Sequence, residues 1–165
     1  MNKFKTYLFI TSGIAILAAF FAFLGPVIVQ AQGVPSPVYT VPKEPFQSEV
    51  VFKFNPGKYE AFGSFNVPSR KRLIIEHVSA HAALPNGQKI IEARIETLQV
   101  GGGAKANHYL TTHFERSRPD VADYFSVSQD MRLYAVGTVQ FGFFRTSTAG
   151  TGQVNATVSG YLVDL

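Results

Sequence analysis

No cysteine and no tryptophan occur in this 165-residue chain. Without thiols, a disulfide framework, a thiolate zinc site and a lipid-bearing cysteine are all excluded within this sequence. Charge is also sparse, with 15 Lys and Arg against 11 Asp and Glu and a net of +4. Nucleic-acid binding calls for a concentrated basic surface, and Arg70-Lys71-Arg72 is too short a cluster to supply one. No serine sits in a Gly-x-Ser-x-Gly elbow, no alternating-aspartate calcium loop is present, and Gly101-Gly102-Gly103 precedes no helix with a phosphate-binding lysine. Common hydrolase, calcium and nucleotide signatures are therefore missing, and the sequence calls for no cofactor and identifies no catalytic residue.

The N-terminus carries a stronger signal. A short basic segment with Lys3 and Lys5 leads into an uncharged apolar run from Tyr7 to Leu24 and then a Gly25-Pro26 break. This is the grammar of an export signal. Val29-Gln30-Ala31 supplies the residues that a signal peptidase reads, so residues 1–31 are expected to form a signal helix cleaved after Ala31. Cleavage leaves 134 of the 165 residues, and the loss of Lys3 and Lys5 takes the net charge from +4 to +2. The rival expectation is an uncleaved anchor, the only membrane contact the sequence foresees, because about 18 apolar residues are also about enough to span a bilayer. The body of the chain is then expected in the periplasm or extracellular space.

Residues 32–47 hold prolines at 35, 37, 42 and 45 and read as a linker or an edge segment. Residues 48–165 are long enough to bury a core and fold as one domain. Their pattern is β throughout. Ser48 to Phe54 alternates with Val50, Phe52 and Phe54 on one face; Ala61 to Val67 carries Gly63 where a bulge or a close backbone approach is expected. Pro85-Asn86-Gly87 reads as a hairpin turn. Lys89 to Val100 fits either a strand, with Ile91, Ala93 and Ile95 on one face, or a helix capped by the glycines; the neighbouring strands favour the strand. Further strands are expected at 107–114, 124–127, 131–136, 139–146 and 153–163, with a charged loop over 115–123. Eight or nine short strands separated by turns predict an all-β, antiparallel, jelly-roll-like β-sandwich.

The longest apolar run outside the N-terminus, Leu73 to Leu84, holds the most informative pattern. Neither parity is apolar throughout: Leu73 and Ile75 lie on one, and Val78, Ala80, Ala82 and Leu84 on the other. One extra residue near Glu76-His77 would put all six on the core side, so a β-bulge is expected there, with Ser79 and His81 turned outward. A strand buried on both faces is the alternative.

The same stretch is where chemistry would be sought. His77, His81 and Glu76, with His108 from another strand, offer a ligand set for zinc or iron. His108 and His113 are five apart, so only one of them can share a given strand face. Glu92 and Glu96, with Lys89 and Arg94 nearby, read as a solvated face rather than an acid–base pair. Tyr109, Tyr124, Phe144 and Tyr161 are candidates for an exposed aromatic glycan platform, whereas Phe141 and Phe143 are expected in the core. The leading expectation is an exported, non-catalytic binding or assembly module of the cell envelope with a protein or glycan ligand, open to self-association. A metal-dependent site at His77 and His81 and a carbohydrate-binding module are the alternatives.

Overall fold

The computed structural model describes residues 42–98 and 105–165. The expected signal helix and the cleavage site lie outside the described residues, as does the glycine triplet. Among the described residues the protein is all-β, with no helix and eight strands: β1 (Glu44–Phe54), β2 (Glu60–Asn66), β3 (Lys71–Leu84), β4 (Ile90–Leu98), β5 (Lys105–Tyr109), β6 (His113–Arg118), β7 (Ala122–Arg145) and β8 (Gly152–Asp164). They join into one antiparallel sheet in the order β1-β8-β3-β7-β4-β5, with β2 and β6 also paired to β7.

The partners nest. β1 pairs with β8, β2 with the second half of β7, β3 with its first half, and β4 with β5. β7 is the strand shared by both parts of the sheet. Up to Ala135 it lies beside β3, and from Val136 it lies beside β4. At this handover Thr97 and Leu98 stand opposite Val139 and Val136, leaving Gly137 and Thr138 as extra residues of β7. Gly137 has φ of 65°, a left-handed conformation that glycine adopts without a Cβ penalty.

A single hydrophobic cluster unites the two parts. The Phe52 ring of β1 lies against Phe141 (6.5 Å, stacked) and Phe143 (5.8 Å, edge-on) of β7. Gly63 of β2 sits beneath this contact, where a Cβ would collide with the side chains of Phe52 and Val50. The glycine is thus the close backbone approach its place in the sequence foretold.

β3 shows the expected phase change. Its register shifts between Ile75 and His77 against both neighbours. On one side these two residues face Gly160 and Ser159 of β8, so β3 carries one extra residue; on the other they face Leu133 and Asp130, so β7 carries one more than β3. Leu73, Ile75, Val78, Ala80, Ala82 and Leu84 all enter the core, while Glu76 is exposed. The energetics explain why the irregularity is kept. Turning Leu73 and Ile75 outward would cost about 1.5–3 kcal/mol each. A bulge forgoes only one or two backbone hydrogen bonds at about 0.5–1.5 kcal/mol each.

Other expectations are corrected. Within Lys89 to Val100 the strand is Ile90–Leu98, but a second register shift between Ile90 and Glu92 turns Ile91 out to solvent while Ala93 and Ile95 stay buried. The turn at Pro85-Asn86-Gly87 forms, with the Gln88 N–H donating to the Pro85 carbonyl at 3.2 Å and Gly87 at φ 80°. It does not make a hairpin, because β3 pairs with β7 and β8 whereas β4 pairs with β5 and β7. Turn residues specify a reversal of the chain and not the partner of the strand that follows. The three strands expected between 124 and 146 are one, the strand expected over 107–114 is two, and β1 begins at Glu44, inside the proline-rich stretch.

Candidate functional site

The β3–β4 turn builds one wall of the main cleft. Its Gly87 N–H donates to Asp123 Oδ2 at 2.7 Å, and the Asn86 amide donates to Asp123 Oδ1 (3.3 Å), Ser117 Oγ (3.2 Å) and the Arg118 carbonyl (3.1 Å). Asp123, only 8% exposed at the start of β7, thereby ties the turn to β6. The Ser117 hydroxyl first, then the Gly87 N–H and, more weakly, the Asn86 amide hold its carboxyl below the ordinary range, against an opposing effect of burial. It is an ionised acceptor at neutral pH, not a poised acid or base.

Beside this clamp opens a cleft of about 610 Å³ lined by Ile90, Phe114 and Phe125, with Thr112, Ser117, Lys89 and Asp123 as its polar groups. Phe114 and Phe125 meet edge to face at 5.5 Å. Phe125 belongs to the core, whereas Phe114 is 60% exposed on a strand with all six residues exposed. An apolar wall with one fixed carboxylate in its lining suits an apolar group that ends in a hydrogen-bond donor or a cation.

The residues nominated as metal ligands do not converge. His77 and His81 share the outer face of β3, but four residues along a strand separate them by about 13 Å. His77 Nδ1 donates to Asp130 Oδ1 at 2.7 Å, since an ionised carboxylate only accepts. His81 stacks on Tyr124 at 5.4 Å, with its Nε2 3.5 Å from Glu115 of β6. His108 lies on β5, 3.3 Å from the Thr97 hydroxyl. Glu76 borders a shallow recess of about 480 Å³ with Lys43, Asp130, Met131, Arg132 and Tyr161. Among the described residues, no group of three or more His, Asp or Glu side chains is placed to hold a metal ion.

Of the aromatic candidates, Tyr109 and Phe144 lie on the outward side of the β2-β7-β4-β5 part of the sheet. Arg94 stands opposite Tyr109 and stacks over the Phe144 ring at 4.9 Å, and Phe62 meets Phe144 edge-on at 5.9 Å. Arg94 also bridges Glu92 (2.9 Å) and Glu96 (3.0 Å), so the two glutamates are joined through a guanidinium and do not face each other as acid and base. Tyr124 and Tyr161 lie on the other part of the sheet, the latter beneath Lys43 at 4.3 Å.

Sequence reasoning missed the cleft and its clamp. Asp123, Ser117 and Phe114 fell in a presumed charged loop and at a strand end. The sequence signal available was the Asn-Gly pair, whose free donors need an acceptor somewhere in the fold. No protein-family model matches this chain, and no curated protein matches it in sequence.

Proposed function

We propose that the chain is an exported, non-catalytic binding or assembly module of the cell envelope, built as a jelly-roll-like β-sandwich. Export rests on the basic, apolar, Val-x-Ala order of residues 1–31. The sandwich reading is supported by the nested strand pairs, by the five-strand group β1-β8-β3-β7-β6 and the four-strand group β2-β7-β4-β5 that share β7, and by the Phe52 contacts between them. The observation that carries the binding role is the cleft at Asp123. Its walls are apolar and its carboxylate is preorganised by three donors, which favours holding a group over transferring a proton.

The absence of tryptophan makes the test direct. In a Phe114→Trp variant the only indole stands at the cleft, and its fluorescence is titrated with benzylamine, benzyl alcohol and benzoate. Saturable binding that ranks the amine first and is lost in the Phe114→Trp, Asp123→Asn double variant is expected. No saturable binding of any probe, or benzoate equal to the amine, defeats the reading.

Glycan binding is the second reading, favoured by Phe62, Phe144 and Tyr109 clustered with Arg94 on one sheet face. It expects retention on insoluble polysaccharide that Tyr109→Ala abolishes.

A further inference from the structure

We infer that two copies of this chain pair through β1, antiparallel and related by a twofold axis at Val51. β1 pairs with β8 along one edge, in unbroken register over all 11 residues from Glu44 to Phe54; among the described residues no strand pairs with its other edge. A long, regular edge leaves alternate backbone N–H and C=O groups without strand partners, and such an edge is a template for a further strand. The other edges are poorer templates. β2 is regular but has only seven residues, β6 is short, charged and interrupted by a register shift between Phe114 and Arg116, and β5 has five residues.

The partner is specified by the side chains. On the outward face of β1 lie Gln47, Glu49, Val51 and Lys53, all exposed, and Val51 is 54% exposed although apolar. Charges on an edge ordinarily repel a second strand. Here Glu49 and Lys53 flank Val51 at equal distance and with opposite sign. A twofold axis at residue 51 therefore sets Glu49 opposite Lys53 of the other copy, twice, and Val51 opposite itself. Gln47 then faces Asn55, and Val50 faces Phe52. No register other than this one pairs both charges with their opposites while covering the valine, and an edge complementary to itself points to a second copy. The pairing would extend the β6-β7-β3-β8-β1 part of the sheet across the axis.

The lack of cysteine makes the register measurable. Directly opposed strand residues have Cα atoms about 4.5–5.5 Å apart, within disulfide reach. In the chain purified as its host processes it, Val51→Cys is expected to give a disulfide-linked dimer under mild oxidation. Gln47→Cys is expected to give none, since the two copies of residue 47 would be about 27 Å apart. Sedimentation velocity supplies the second arm. Lys53→Glu places like charges together at both symmetry-related positions and is expected to raise the dimer dissociation constant at least about tenfold. Adding Glu49→Lys to Lys53→Glu restores both pairs and with them the dimer, which association through any other segment would not do. All these positions are exposed, so unchanged far-ultraviolet circular dichroism is expected in every variant. A monomer at all concentrations, equal cross-linking at 47 and 51, or failure of the charge swap to restore association would each overturn the inference.

Discussion

A guanidinium buried with no carboxylate beside it must be neutralised by dipoles, and Arg145 at the end of β7 meets this condition. It is fully buried, and its donors reach the carbonyls of Asn55, Lys58, Thr148, Ala149 and Gly150 and the Gln88 side chain at 3.0–3.3 Å, with the Phe54 ring 5.0 Å from its centre. One side chain thus fastens three loops. Burial lowers its pKa from the usual value, the direction expected when a cation is desolvated. Arg145→Met leaves the Lys58 and Gly150 carbonyls without a donor, while those of Asn55, Thr148 and Ala149 keep the Lys58 N–H, the Gly57 N–H and the Gln88 amide. It is expected to cost at least about 3 kcal/mol in urea unfolding, since hydrogen bonds to charged groups contribute about 1.5–3 kcal/mol each. A loss below about 1 kcal/mol would show that water takes over these carbonyls. Nothing in the sequence marks Arg145 out, because its acceptors come from three separate loops. Asp123 was hidden for the same reason, and its effect depends on pH. Its folded pKa lies below the unfolded value, so its contribution is complete above about pH 4 and fades as the pH falls through the folded value. The urea midpoint of Asp123→Asn is therefore expected to trail that of the parent most at pH 7, with the gap narrowing below about pH 4. A gap that is constant with pH would contradict the ionised clamp.

At the scale of the element, the bulge in β3 was the part of the fold most legible in the sequence, because six apolar residues can share a face only if the phase changes at Glu76-His77. What the sequence did not give was the response of the neighbouring strand. The extra residue presses the Ile74 carbonyl onto Gly160 of β8, where any Cβ would overlap the backbone. Gly160→Ala therefore has no flexible side chain to displace and is expected to cost about 1–3 kcal/mol or more, the range of an overpacked core. Glu76→Ala removes an exposed side chain at the same bulge and is expected to change stability by less than about 0.5 kcal/mol. Equal effects of the two in chemical denaturation would mean that the bulge is held by Glu76 and not by the glycine opposite. The hairpin expected after β3 failed for a different reason. Asn-Gly chemistry is local, whereas β4 takes its place beside β7, whose paired residues lie from 38 (Leu98–Val136) to 55 (Ile90–Arg145) positions later in the chain.

Across the whole molecule, β7 decides how the parts depend on each other. Residues 124–146 look like three short strands because Ser128 to Asp130 and Gly137 carry turn-like composition. In the fold Ser128 and Asp130 face outward from a continuous strand, Gln129 stands opposite Val78 and accepts the Thr111 N–H, and Gly137 lets the backbone pass from β3 to β4 without a break. Pairings this distant in sequence close large loops before any contact forms, so refolding is expected in milliseconds to seconds and not faster. A strand shared by both parts of the sheet also couples their stabilities, since neither part keeps its central strand once the other opens. Gly137→Ala tests this coupling. Its Cβ meets only the Leu98 side chain, at an ordinary 3.6 Å, so the cost is the left-handed backbone conformation, about 1–2 kcal/mol. That loss is expected to move one cooperative transition, coincident by near- and far-ultraviolet circular dichroism, and to raise amide exchange equally in β3 and β4. If only β2, β4 and β5 lost protection while β3 and β8 kept theirs, the two parts would be separate folding units and β7 merely a linker between them.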